Sequence, residues 1–146
     1  LHSFPTRRSS DLKQMKKLFN LSFIYLGLGL ILGVFHREFT KFNNFSGETV
    51  LGTAHTHTLV LGFLFFLIIL LLDKNFDVSS YKHFNKWLIS YNIGLISLIG
   101  TIVFRGVLEV LSKDFAGLPH MAGLGHAILG ASLIWFMIIL NKKIKK

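Results

Sequence analysis

Hydrophobic residues in this chain fall into four blocks rather than alternating along it. The blocks run over residues 18–35, 50–72, 87–111 and 121–140. Each is close to the ~20 residues that a helix needs to cross ~30 Å of hydrocarbon. A helix of a soluble bundle carries a polar stripe along one side. Leu59 to Leu72 has no charged residue and no such stripe, so the pattern predicts membrane spans. A cleaved signal peptide fits the first block poorly, because the block is long and His36-Arg37-Glu38 is a poor cleavage site. The connecting segments are short, which sets neighbouring helices antiparallel. The expected fold class is all-α, an integral membrane four-helix bundle formed by one domain over residues 15–146.

Lysine and arginine orient the bundle. Lys13, Lys16 and Lys17 precede the first block, Lys74, Lys82 and Lys86 lie between the second and third, and Lys142, Lys143, Lys145 and Lys146 close the chain. The other two loops carry only Arg37, Lys41 and Lys113. The positive-inside rule then predicts both termini in the cytoplasm, and the expected location is the plasma membrane. A formal charge of +9 could suit a nucleic-acid partner. The lysines sit at the ends of apolar runs, however, so the expected partner is the lipid bilayer and not nucleic acid. Tyr81 and Trp87 suit an inner interface, and Phe39, Phe42 and Phe45 an outer one. Residues 1–14 are expected to be an artefactual or disordered extension. LHSFPTRRSSDL has no hydrophobic periodicity and reads as the translation of a widely used sequencing-library adapter, which makes Met15 the expected natural start.

Composition narrows the chemistry. The chain has no cysteine, which removes disulfides, thiolate metal sites and cysteine nucleophiles together. Nucleophile elbows, P-loops, dinucleotide-binding glycine patterns and HExxH are absent. The sequence leans away from an enzyme and assigns no catalytic residue. Ser90 and Ser97 are expected to hydrogen-bond between helices. Gly29 with Gly33, and Gly123 with Ala127 and Ala131, mark faces where backbones can approach.

Ionisable residues inside the spans are costly there and form the candidate site. His55 and His57 follow the outer start of the second span, and His126 follows that of the fourth. Arg105 and Glu109 precede the outer end of the third. His36 and His120 complete a polar layer near the same depth. Arg105 and Glu109 are four apart and can pair on one helix face. They are read as a structural ion pair, as an anchor for an anionic ligand group, or as a proton-carrying carboxylate. His55 and His57 differ by about 200° around a helix, so they cannot grip one metal ion together. His55 shares its face with Gly52 and Gly62, and His126 with Gly123 and Gly130. Bare backbone beside an imidazole leaves room for a flat macrocycle, and imidazole is a common axial ligand of haem iron. His55, His57 and His126 are the candidate iron ligands, with Arg105 toward a propionate. The bland alternative is that these histidines only bond neighbouring helices.

From Met15 onward the chain resembles a family of small four-helix bacterial membrane proteins known only as a domain of unknown function. KKLFNLSFIYLGLGLILGVFHREFTKF, HTHTLVLGFLFFLIILLLDKNF, YNIGL with RGVLEVL, and GLGHAILG carry the likeness. AHTHTLVLGFLFF also resembles the histidine-bearing second helix of haem–copper oxidase subunit I. That likeness carries over only His55 or His57 and the Leu61-Gly62 step. It implies haem near the outer face. The copper-binding histidines of that family have no counterpart here, which leaves oxygen reduction without support. Three functions stay open: a haem-binding membrane protein; a non-catalytic subunit or assembly factor of a larger membrane complex; and a proton or metal-ion transporter acting as a homo-oligomer.

Overall fold

The computed structural model describes residues 9–145, so the first eight residues of the adapter-like stretch lie outside it. Four long helices make up the chain: α1 (Ser9–Phe42), α2 (Leu51–Phe76), α3 (Phe84–Val110) and α4 (Leu118–Ile144). All four are long and apolar enough to cross a membrane. No strand occurs among the described residues. The helices outrun the apolar blocks, because a helix once nucleated continues through good helix formers such as lysine and glutamine. α1 accordingly includes residues 9–14, expected to stand apart from the domain, and Gln14 donates to Asn85 Oδ1 of α3 at 2.8 Å.

Helix ends are set by local chemistry. Asn44 and Ser112 adopt left-handed backbone, with φ of 49° and 54°. The following residues, Phe45 and Lys113, return their N–H groups to Thr40 O and Leu108 O, both at 2.9 Å. This is the Schellman pattern that closes α1 and α3. Pro119 in the first turn of α4 fits there, because no intrahelical partner exists for its missing N–H.

α1 packs most extensively on α2, and α3 on α4, while α2 and α3 meet less extensively. Glycines fix how closely. On α1 and α2, although Gly27 of α1 faces open space, side chains of one helix occupy the space at glycines of the other. Leu59 fills it at Gly29 and His55 packs at Gly33, while Tyr25 fills it at Gly62 and His36 at Gly52. Gly29 thus admits the neighbouring helix as the sequence predicts, whereas at Gly33 the His55 side chain stands at ordinary contact distance, 3.8 Å from where a Cβ would be. On α4 the expected stripe is displaced. Gly125 rests on the backbone at Leu98, and Gly94 of α3 on the backbone at Leu129, whereas Gly123, Ala127 and Ala131 are exposed.

The core is aromatic at the end that carries the termini. Trp87, Tyr91, Phe66 and Phe84 are fully buried. Trp87 is therefore not the interfacial residue expected of it. Its indole N–H donates to Ser132 O at 2.8 Å, holding α3 on α4. Ser90 and Ser132 share a second interhelical bond at 2.9 Å, as expected of Ser90. Ser97 instead takes part through its carbonyl, which accepts from Thr101 in its own helix.

Candidate functional site at the histidine end

His36, His55, His57, Arg105, Glu109, His120 and His126 all lie toward the end opposite the termini. The structure divides them into separate settings rather than one cluster. No group of three metal-ligating side chains occurs among the described residues.

Glu109 closes the gap between α2 and α3. Its Oε2 accepts the N–H of Val50 at 2.8 Å, just before α2 begins, and its Oε1 accepts from Arg105 Nε at 2.9 Å. The first N–H groups of a helix lack intrahelical partners, so a carboxylate there satisfies a donor and meets the positive end of the helix dipole. Thr49 Oγ1 adds a bond to Gly106 O at 3.1 Å. Gly106 itself packs against the Leu51 backbone, where an added Cβ would sit 2.5–2.6 Å from Leu51 atoms. The expected Arg105–Glu109 pair is present. Its partner across the bundle, the N-terminus of α2, is what the sequence does not reveal. Arg105 stays exposed. With Glu109, Lys113 and Asp114 it lines a cleft of about 300 Å³ under the α3–α4 loop, and His55, His57 and His126 are not among the lining residues.

His55 turns toward α1 and packs over Gly33. Its Nδ1 is buried with no hydrogen-bond partner, and the flanking glycines Gly52 and Gly62 are filled by His36 and Tyr25. His57 points elsewhere, as the 200° separation requires, and its Nδ1 lies 2.8 Å from Thr53 O. His126 is exposed on α4, with Nδ1 2.8 Å from Ala122 O. Around Gly123 and Gly130 nothing lies within 4 Å of where a Cβ would be. The open space expected beside two histidines therefore exists beside His126 and not beside His55. His120 is exposed in the first turn of α4. Arg37 and Glu38 pair with each other at 2.7 Å.

One feature of α2 escapes periodicity analysis. Immediately after His57 the backbone widens into a π-helix over Thr58–Leu64. π turns often accompany functional sites. Here the neighbouring spans stabilise the widened turn. Tyr91 Oη of α3 donates to Leu61 O at 2.8 Å, and Ser22 Oγ of α1 donates to Phe63 O at 2.9 Å. The trace in the sequence is faint: the buried positions Thr58, Gly62 and Phe66 are four apart, longer than the 3.6 of an α-helix.

Fold and residues together define a class: an all-helical chain with four helices able to cross a membrane and imidazoles gathered toward one end. The chain belongs to the family described as "Protein of unknown function (DUF2871)", whose model matches residues 15–143. No curated protein and no solved structure matches it significantly.

Proposed function

We propose that this is a multi-pass plasma-membrane protein whose histidine end binds haem, with both termini on the cytoplasmic side. One observation carries the haem reading: the nitrogen that His126 presents. A carbonyl oxygen can only accept, so the bond to Ala122 O puts the proton of a neutral ring on Nδ1 and leaves the Nε2 lone pair outward. That tautomer, fixed by a carbonyl behind the ring, is the one a metal-ligating histidine uses. His57 has the same arrangement through Thr53 O.

The residues fit the group unevenly. His126 fits, because the open surface at Gly123 and Gly130 admits a flat ring against α4. His57 has the same tautomer but stands in a setting separate from His126, so it would serve as a second imidazole from another copy. His55 fits poorly, its flanks being filled. Arg105, exposed beside Lys113, offers a cation to a carboxylate at this end. Bound haem would supply electron transfer or gas binding. The chain's own part is to orient the imidazole, provide the flat surface and counter anionic groups.

The test is a reduced-minus-oxidised visible spectrum of the purified chain, folded and supplied with haem. A Soret band with sharp α and β bands, lost in His126→Ala, supports the reading. A featureless spectrum overturns it.

A second reading is favoured by the same exposed face. A histidine facing hydrocarbon is costly, and His126 lies about 12 Å along α4 from Leu118 at 1.5 Å per residue. A subunit of a larger complex would cover this face with protein, and a stable partner would then co-purify in place of a cofactor. Transport by an oligomer is not favoured, because the carbonyls of Leu61 and Phe63 in the widened turn are already bonded to side chains.

A further inference from the structure

The α2–α3 loop is built more firmly than a surface connection requires. Asp73, only 7% exposed, accepts the Ser79 N–H at 2.6 Å and so fixes the tight turn Val78–Ser80. Val78 and Phe84, both fully buried, pin the loop at either side. Asp77 takes left-handed backbone with φ of 50°. Against this loop lies the last part of α4. Lys143, its side chain 12% exposed, lies 3.5 Å from Asp77 Oδ2 and donates to Ser80 Oγ. Lys142 Nζ donates to Tyr81 Oη at 3.2 Å and stands 5.5 Å from the centre of that ring.

Between loop and helix is a cleft of about 530 Å³ lined by Ser80, Tyr81, Lys82, Lys142 and Lys143. Its lining holds three cations and two hydroxyls but no carboxylate. Asp77 offsets Lys143 alone, and among the described residues no carboxylate pairs with Lys82 or Lys142. We propose that this cleft binds the phosphate of an anionic lipid headgroup. Several ammonium and hydroxyl donors converging on one space suit a phosphate, which accepts charge-assisted hydrogen bonds from each. Location selects the lipid over free phosphate. The cleft opens just beyond Ile139 and Leu140, where the apolar part of α4 ends, and Ile134, Met137 and Ile138 on the same helix are exposed along the depth of acyl chains. Basic pockets between spans at such a level are where anionic headgroups bind.

The test titrates the full chain in neutral detergent with phosphatidylglycerol, phosphatidylcholine or inorganic phosphate, counting bound lipid by native mass spectrometry. Phosphatidylglycerol should be retained and phosphatidylcholine not. The double variant Lys82→Gln/Lys142→Gln should weaken retention roughly 30-fold, from the charge–surface contribution of two lysines. Lys113→Gln, at the opposite end, should change nothing. Lys82→Gln alone, which removes no hydrogen bond among the described residues, should weaken it roughly fivefold and serves if the double variant misfolds. Equal retention of phosphatidylcholine, or undiminished binding in Lys82→Gln, would overturn the proposal. Binding of inorganic phosphate without retention of phosphatidylglycerol would overturn the lipid assignment and make this a soluble-phosphate site.

Discussion

At the end of the bundle that carries the termini, nine lysines (13, 16, 17, 74, 82, 86, 142, 143 and 145) face three aspartates (11, 73 and 77), a formal +6 among the described residues. At the other end four cations (Arg37, Lys41, Arg105, Lys113) meet four carboxylates (Glu38, Glu48, Glu109, Asp114). Histidine is distributed the opposite way: His36, His55, His57, His120 and His126 all belong to the balanced end. The two ends use polarity differently. The basic end keeps charge uncompensated around a rigid loop, which suits an anionic surface. The balanced end sets its charges against one another, Glu109 closing α2 onto α3 and Arg37 meeting Glu38, and gathers the imidazoles, of which His120 and His126 are exposed.

The largest effect of a substitution is expected at the helix crossing beneath the balanced end. Gly106→Val would drive a side chain into the Leu51 backbone, which cannot swing aside as a side chain would. Overpacking of this kind costs about 3 kcal/mol or more, and thermal unfolding in detergent should show a large loss or no folded protein. Gly123→Val on the open face of α4 should leave the melting temperature unchanged. Similar stability of the two variants would contradict the crossing described.

Next in size is the cap itself. Glu109→Ala leaves the Val50 N–H and the Arg105 guanidinium without their carboxylate, at a cost of about 1–2 kcal/mol. Arg105→Ala, which removes only a partly exposed ion pair, should cost less than about 1 kcal/mol. Equal costs would mean that the ion pair, and not the cap, holds the balanced end.

Asp73→Ala probes the basic end, costing about 1 kcal/mol through the orphaned Ser79 N–H. It should also weaken phosphatidylglycerol retention, since the turn presenting Ser80 and Tyr81 loosens. Retention unchanged by Asp73→Ala would show that the loop needs no such brace. The smallest effect belongs to Ser132→Ala, about 0.6 kcal/mol. It removes the bond to Ser90 but keeps the main-chain carbonyl that Trp87 uses.

Much of this architecture is legible in the sequence, because a bilayer allows so few solutions. Blocks of apolar residues become spans, Gly29 admits a neighbouring helix, and Arg105 and Glu109 pair as their spacing requires. Facing is harder to read. Gly123 and Gly125 are both small, and only the crossing of α3 and α4 decides that Gly125 packs while Gly123 stays open. Trp87 follows the usual preference for an interface in its type alone. A carbonyl on α4 draws its indole inward. The π-widened turn depends on Tyr91 and Ser22 reaching carbonyls 30 and 41 residues away in the chain, a tertiary effect that local periodicity does not encode. The partner of Glu109 is likewise 59 residues distant.

The histidines offer the most direct trial of the proposed role. His126→Ala and His55→Ala should be compared by haem-difference spectroscopy of equally folded protein. Loss of the Soret band in His126→Ala with retention in His55→Ala is the predicted result, since only His126 presents Nε2 beside open backbone. A Soret band lost in His55→Ala and kept in His126→Ala, or no band in the parent protein, would contradict it.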